Sequence, residues 1–217
     1  MFDKNIKKYL SVTNILFIVF LLFTLLVKVI DVKAIGPEGS KVGWAALNGA
    51  FHNAVGVNMT WYQITKVLGY MIILIALGTI AYGCYQFFIE RSIKNVDTRL
   101  VVLGFVYVLT GVIYLLFELV VINRRPVIIN DKLSASYPSS HTLLAVVIVL
   151  CIMLWLKDRI TNDLIRYIFF AACIMLVATV VIGRIISGVH WLTDIIGGLI
   201  IGAALVSLYM KTIEDIR

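Results

Sequence analysis

Apolar residues run along this chain in six long blocks, about Val12 to Ile30, Lys66 to Ile89, Leu100 to Ile122, His141 to Leu156, Arg166 to Ile182 and Trp191 to Met210, separated by more polar connections. Blocks of this kind predict helices, because ~20 apolar residues cross the hydrocarbon of a bilayer and a backbone inside it has no water to satisfy open hydrogen-bonding groups. The expected fold class is therefore all-α, a polytopic membrane protein of six transmembrane helices forming a single domain over residues 1–217. The first block has no small-x-small cleavage pattern before the polar stretch after Ile30, so it reads as a span and not as a cleavable leader. The long connection from Asp31 to Thr65 sets Trp44, Leu47, Phe51 and Val55 on one helical stripe. That stripe predicts an additional interfacial helix in the first outer loop, either admitting lipid or capping the bundle. His52 in the same stretch reads as an ordinary surface residue.

Composition strengthens the membrane reading. The chain is 61% hydrophobic and only 14% charged, with a mean hydropathy of +1.00, whereas soluble domains carry roughly 25% charge. A net charge of +7 raises the question of nucleic acid, but no block of Lys and Arg and no basic-aromatic interleaving is present. The cations instead lie between apolar blocks. Lys4, Lys7 and Lys8, then Arg91, Lys94 and Arg99, then Lys157, Arg159 and Arg166, and finally Lys211 and Arg217 fall on one side of the predicted bundle. By the positive-inside rule that side is cytoplasmic and both termini are cytoplasmic. Cys84, Cys151 and Cys173 each sit in an apolar run without C-x-x-C spacing, which predicts packing residues and neither a zinc site nor a disulfide framework.

Three segments predicted on the opposite, extracytoplasmic side hold nearly all the polar residues at the bilayer edge: Glu118 through Asn123-Arg124-Arg125-Pro126, Tyr137-Pro138-Ser139-Ser140-His141, and Gly183-Arg184 through His190 and Asp194. Asp194 follows His190 by four residues, so a helix beginning near His190 sets carboxylate and imidazole on one face. A carboxylate bonded to one ring N–H fixes the tautomer and leaves the other nitrogen a better nucleophile or base. Taken alone, the same pair also reads as a polar anchor at a helix start. Arg184 tips the balance, because clustered cationic groups at a membrane face call for an anion such as a phosphoryl group. In the middle segment Pro138 halts the preceding chain and Ser139 is a good N-cap, giving a helix start whose free N–H groups suit an anion. His141 in that first turn is placed to donate a proton to a leaving alkoxide. Pro-Ser-Ser as a plain cap is the blander alternative. Arg124 and Arg125 stand before Pro126, which is expected to end the third span nearby, and Arg124 reads as a headgroup-snorkelling residue.

Together the segments resemble the type 2 phosphatidic acid phosphatase superfamily, whose motifs run K-x6-R-P, P-S-G-H and S-R-x5-H-x3-D. Here they stand as Glu118-x6-Arg125-Pro126, Pro138-Ser139-Ser140-His141 and Gly183-Arg184-x5-His190-x3-Asp194, in matching order and spacing within residues 118–194. The resemblance implies that His190 is the nucleophile forming a phosphohistidine, Asp194 its orienter, and His141 the acid for the leaving alcohol and then the base for the attacking water. It also implies that Arg125, Arg184 and the amides near Ser139 and Ser140 hold the phosphoryl oxygens, with no metal and no cofactor. Three departures stand out: Ser140 for glycine, Gly183 for serine, and Glu118 for lysine. The last turns a cationic subsite acidic. Glu118, two helical turns from Arg125 if the helix continues, would then orient Arg125 or pair with Arg124, or Lys132 would supply the lost charge from the loop.

The expected function is a membrane phosphohydrolase for a lipid phosphate or lipid pyrophosphate, with phosphatidic acid, phosphatidylglycerol phosphate and undecaprenyl pyrophosphate as candidates. The last suits a bacterial plasma membrane. Its partners would be the lipid phosphate substrate and the bilayer, with no nucleic acid. The alternatives are a phosphatase of a small soluble phosphoester and an impaired relative that binds or moves lipids.

Overall fold

The computed structural model describes residues 2–216; Arg217 and the side chains of Lys4, Lys7 and Lys8 lie outside what it describes. The described residues are helical apart from short connections and three isolated antiparallel bridges. The helices are α1 (Phe2–Val29), α2 (Ala45–Val55), α3 (Met59–Glu90), α4 (Thr98–Leu119), α5 (Ser140–Leu144), α6 (Leu150–Leu156), α7 (Asp163–Ser187) and α8 (Leu192–Asp215). α5 and α6 are joined by a π-helical turn, Ala145–Val149, into one rod over Ser140–Leu156. Five helices, α1, α3, α4, α7 and α8, are each long and apolar enough to cross a membrane. The rod is shorter, but at ~1.5 Å per residue it reaches about 25 Å, close to the ~30 Å of hydrocarbon.

α8 is the axis of the bundle. In its most apolar stretch 56% of residues are buried, against 17–22% in the other four spans, because Ile201, Ala204, Leu205 and Tyr209 pack against the surrounding helices. Those helices turn large side chains such as Leu21, Leu74, Phe88, Val108, Ile168 and Met175 outward, as a lipid solvent requires. The α3–α4 and α6–α7 connections meet at one end. There Asp97 accepts from Trp155 Nε1 at 2.7 Å and from Arg159, and Arg99 Nη1 donates to Asp158 at 2.9 Å. The basic side of the bundle is thus partly neutralised by its own carboxylates.

Two expectations are corrected at the other end. α4 stops at Leu119, well before Pro126, and the chain then folds into a loop bridged at Arg124 with Ala135 and at Ile129 with Lys132. Arg125 is held there by its own N–H to the Ser134 carbonyl at 3.1 Å, so the relation of Glu118 to Arg125 is not that of two turns of one helix. α7, by contrast, continues past Ile182 to Ser187, which carries Arg184 inside the helix. The helix expected in the Asp31 to Thr65 connection exists as α2, but rotated: Ala45 and Asn48 are buried while Leu47 stays 43% exposed. Asn48 takes the inward place because its amide reaches the Gly43 carbonyl at 2.7 Å and the Thr193 hydroxyl at 2.9 Å, and a buried amide needs such partners.

Close backbone approach sets the spacing of α3 and α7. A Cβ on Gly183 would lie 2.5 Å from Thr65 Cγ2 and 3.0 Å from the Trp61 ring, so only glycine lets α7 lie this near α3. Gly188 ends α7 in the left-handed conformation (φ 62), where a Cβ would also strike the Gly56 carbonyl. Gly183→Ser is expected to lower stability by ~1–3 kcal/mol through overpacking, read as the thermal midpoint in detergent. Combining it with Thr65→Ser, which removes the opposing methyl, is expected to recover part of the loss.

Candidate active site

The site grows from the start of α8. His190 and Trp191 immediately precede the helix, and Asp194 lies in its first turn. The Asp194 carboxylate, fully buried, receives the Trp191 N–H at 2.9 Å on one oxygen and the Asn123 amide at 3.2 Å on the other. This closes the helix N-terminus, where a carboxylate also meets the positive end of the helix dipole. The same oxygen that accepts from Trp191 lies 3.6 Å from His190 Nδ1. Imidazole and carboxylate therefore face each other, with His190 at the mouth of α8 and not within its first turn.

Four further segments are stitched to this point. The Asp194 carbonyl accepts from the Ser139 N–H at 2.9 Å, which fixes the start of α5 against α8. Asn123 Oδ1 accepts from the Gly43 N–H at 3.2 Å, and the Ser136 N–H donates to the Asn123 carbonyl at 3.0 Å. Trp191 Nε1 donates to the Arg124 carbonyl at 2.6 Å. Thr193 exchanges bonds with Asn48 of α2. None of Asn48, Asn123 or Thr193 carries a local spacing signal, so sequence reasoning assigned them no role.

His141, in the first turn of α5, lays its ring edge on α3 at Gly69, where a Cβ would lie 2.7 Å from Cδ2. Arg184, fully buried on α7, holds its guanidinium 5.3 Å over the Tyr62 ring of α3. Among the described residues its Nε, Nη1 and Nη2 have no hydrogen-bond partner, and the same is true of Arg125 Nε, His141 Nδ1 and both ring nitrogens of His190. Buried polar groups are ordinarily paired, so a cluster of unpaired donors around two histidines is a site that an anion with several acceptor oxygens would satisfy. Arg125, Arg184 and His190 all act electrostatically on His141, as does Lys66 of α3, a cation that no motif singled out. Burial first, and then the charges of Arg125 and Arg184, hold His190 well below the usual histidine range. These influences favour the neutral form of the imidazole, the form in which a ring nitrogen can act as a nucleophile.

One cavity is lined by Glu118, Arg125, Ser140 and His190, with Tyr114, Phe117, Tyr137 and Leu143 among the other walls. The structure thus brings together His141, His190, Asp194, Arg125, Arg184 and Ser140. It assigns two expected residues differently. The Ser139 N–H is taken by the Asp194 carbonyl and its hydroxyl accepts from Thr142 at 3.1 Å, so Ser139 joins α5 to α8 and has no amide left for a phosphoryl oxygen. Arg124 spends its Nη1 on the Leu133 carbonyl at 2.7 Å, bracing the loop, and not on Glu118. His52 is no free surface residue either: its ring packs 5.4 Å from that of Trp191 and its Nδ1 is buried. Lys132 sits exposed in the loop's turn. Among the described residues no three His, Cys, Asp or Glu side chains converge as metal ligands.

Known proteins bear on this geometry. The family model for the PAP2 superfamily matches residues 71–217, which contain every histidine and arginine of the cluster. A curated relative, lipid phosphate phosphatase delta from Arabidopsis thaliana, is 34% identical over 93 residues; the match takes in 40% of this chain and 21% of that protein, so the chain spans only a fraction of the relative's length. The fold is similar to the crystal structure of a transmembrane PAP2 type phosphatidylglycerolphosphate phosphatase from Bacillus subtilis, with a TM-score of 0.63 at 20% identity, over 94% of this chain and 97% of the other. The family match, the helical fold and the apolar spans agree: this chain is an integral membrane protein of the PAP2 superfamily.

Proposed function

We propose that the chain is a phosphohydrolase for a lipid phosphate, acting through a phosphohistidine on His190. The observation that carries this is the buried imidazole of His190 facing Asp194 and sharing a cavity with Arg125, in a chain whose family includes lipid phosphatases. In the first step His190 Nε2 attacks phosphorus and the bond to the alcohol oxygen breaks. His141 gives that oxygen its proton, while Asp194 stabilises the charge arising on His190. In the second step water attacks the phosphohistidine, His141 takes the water's proton, and orthophosphate leaves. Arg125, Arg184 and the free first-turn amide at Ser140 hold the phosphoryl oxygens; donors already fixed before the reaction lose little to reorganisation.

The setting favours a lipid. The cavity lies at the ends of α4, α5 and α8, so a headgroup can enter while its tails stay among the outward-facing apolar side chains. The basic connections at the opposite end support a cytoplasmic assignment for that end, which makes the site extracytoplasmic and both termini cytoplasmic. Phosphatidic acid and phosphatidylglycerol phosphate are the leading substrates, with undecaprenyl pyrophosphate as the diphosphate candidate.

The test is orthophosphate release by the purified protein in detergent, with EDTA present. His190→Ala is expected to abolish release from all substrates. His141→Ala is expected to lose about 10²–10⁴-fold on alkyl phosphates, the range for a general acid, and far less on p-nitrophenyl phosphate, whose leaving group needs no proton. Release unaffected by His190→Ala would overturn the mechanism.

Arg184 yields a second prediction. Its guanidinium is buried with no hydrogen-bond partner among the described residues, and a buried charged donor left unpaired costs stability. Arg184→Met is therefore expected to match or exceed the wild type in thermal midpoint without phosphate, to lose the stabilisation that orthophosphate gives the wild type, and to be inactive.

A further inference from the structure

The cavity that holds Arg125 and His190 has an acidic wall. Glu118 lies in the last turn of α4 and lines the cavity with Tyr114, one turn earlier, whose hydroxyl sits beside its carboxylate. Arg124 is committed to the Leu133 carbonyl, and no ion pair joins Glu118 to Arg125 among the described residues. The carboxylate is exposed, lines the cavity and has the Tyr114 hydroxyl as its neighbour. It also stands at the C-terminal end of α4, where the helix dipole adds negative potential. Arg125 beside His190, with Arg184 acting on the same histidine from α7, therefore gives the cavity a cationic side, and Glu118 with the end of α4 makes an anionic wall.

This polarity discriminates between substrates. A phosphomonoester sets all its charge on the cationic side. A diphosphate ester reacting at its terminal phosphorus must carry a second phosphoryl group next to the reacting one, where the carboxylate repels it. A hydroxyl on the alcohol close to the phosphoester bond would instead donate a hydrogen bond to Glu118, and a bond to a charged acceptor is stronger than one between neutral groups.

From this arrangement we infer that Glu118 is the specificity-determining residue of the cavity, selecting phosphomonoesters of hydroxyl-bearing, polyol-type alcohols over diphosphate esters. The inference deepens the phosphatase reading and rests on it for turnover. Glu118 is exposed and bonds no core residue, so its variants are expected to fold.

The experiment compares wild type, Glu118→Gln and Glu118→Lys in detergent micelles on lysophosphatidic acid, which carries a hydroxyl near its phosphate, on dodecyl phosphate, which does not, and on farnesyl diphosphate. Glu118→Lys is expected to raise the diphosphate-to-monoester ratio of kcat/KM by about tenfold, as suits reversal of a full charge at a partly solvated site. Glu118→Gln should raise it about threefold and reduce the preference for lysophosphatidic acid over dodecyl phosphate, mainly through KM. The rise in thermal midpoint caused by inorganic pyrophosphate, relative to orthophosphate, should follow the same order of variants without any turnover. Ratios and pyrophosphate stabilisation unchanged across the three proteins would overturn the inference. A wild type that hydrolyses none of the substrates, yet gains pyrophosphate stabilisation on Glu118→Lys, would overturn the phosphatase reading and leave the selectivity of the cavity standing.

Discussion

The carboxylate of Asp194 is the interaction on which the histidine-bearing end of this protein depends. It is fully buried, a costly position for a charge, and its surroundings offset that cost from several directions: the Trp191 N–H, the Asn123 amide and the positive end of the α8 dipole. Each partner belongs to a different piece of architecture. Trp191 fixes the approach to α8 and, through its indole, the Arg124 loop; Asn123 ties that loop to Gly43 before α2. The residue that faces His190 is thus also the peg that positions the segments carrying Arg125 and the start of α5. On the proposed mechanism structure and catalysis share this one group, so a variant of Asp194 is expected to disturb both.

Around this peg the helices divide the labour by size of side chain. α3 presents Gly69 to the edge of His141 and Thr65 to Gly183 of α7. These contacts hold the imidazole edge and the Arg184-bearing face of α7 against the same helix. Glycine at 183, where the family pattern has serine, is then the condition for seating α7 this close to α3 and not a mere loss of a hydroxyl. The cost is borne by Arg184, whose nitrogens are buried over the face of Tyr62 with no hydrogen-bond partner among the described residues.

Much of this was legible in the chain. The apolar blocks announced the spans, because a bilayer tolerates little else, and the His190, Asp194, His141 and Arg184 group was visible through local spacing at predicted helix ends. Boundaries failed where loops took over. Nothing in the apolar run through Ile122 reveals that α4 ends at Leu119, since Val120, Val121 and Ile122 are as apolar as the helix before them. The inward turn of Asn48 was equally hidden. Its partner Thr193 lies 145 residues away, and a stripe of Trp44, Leu47 and Phe51 is the stronger amphipathic signal until the buried carbonyl and hydroxyl at Asn48 are known. Ser139 was misassigned for a related reason: a free amide at a helix start is a sound expectation only while no neighbouring carbonyl, here that of Asp194, lies within reach.

The two ends of the bundle differ in how they treat charge, and that difference argues for function independently of any motif. At the basic end Arg99 and Arg159 are matched by Asp158 and Asp97, with Trp155 adding a donor and a stacking face. Pairing of this sort settles a helix end and leaves little for a ligand to do. At the other end no direct ion pair joins Asp194 or Glu118 to Arg125 or Arg184 among the described residues: Asp194 is engaged by neutral donors and by the His190 face, and Glu118 stands on the wall of the cavity. Folding alone would favour pairing Arg125 and Arg184, because unpaired buried donors cost stability. That the chain keeps both carboxylates from them is a stability cost concentrated at one point, and binding an anion with several acceptor oxygens is what would recover it.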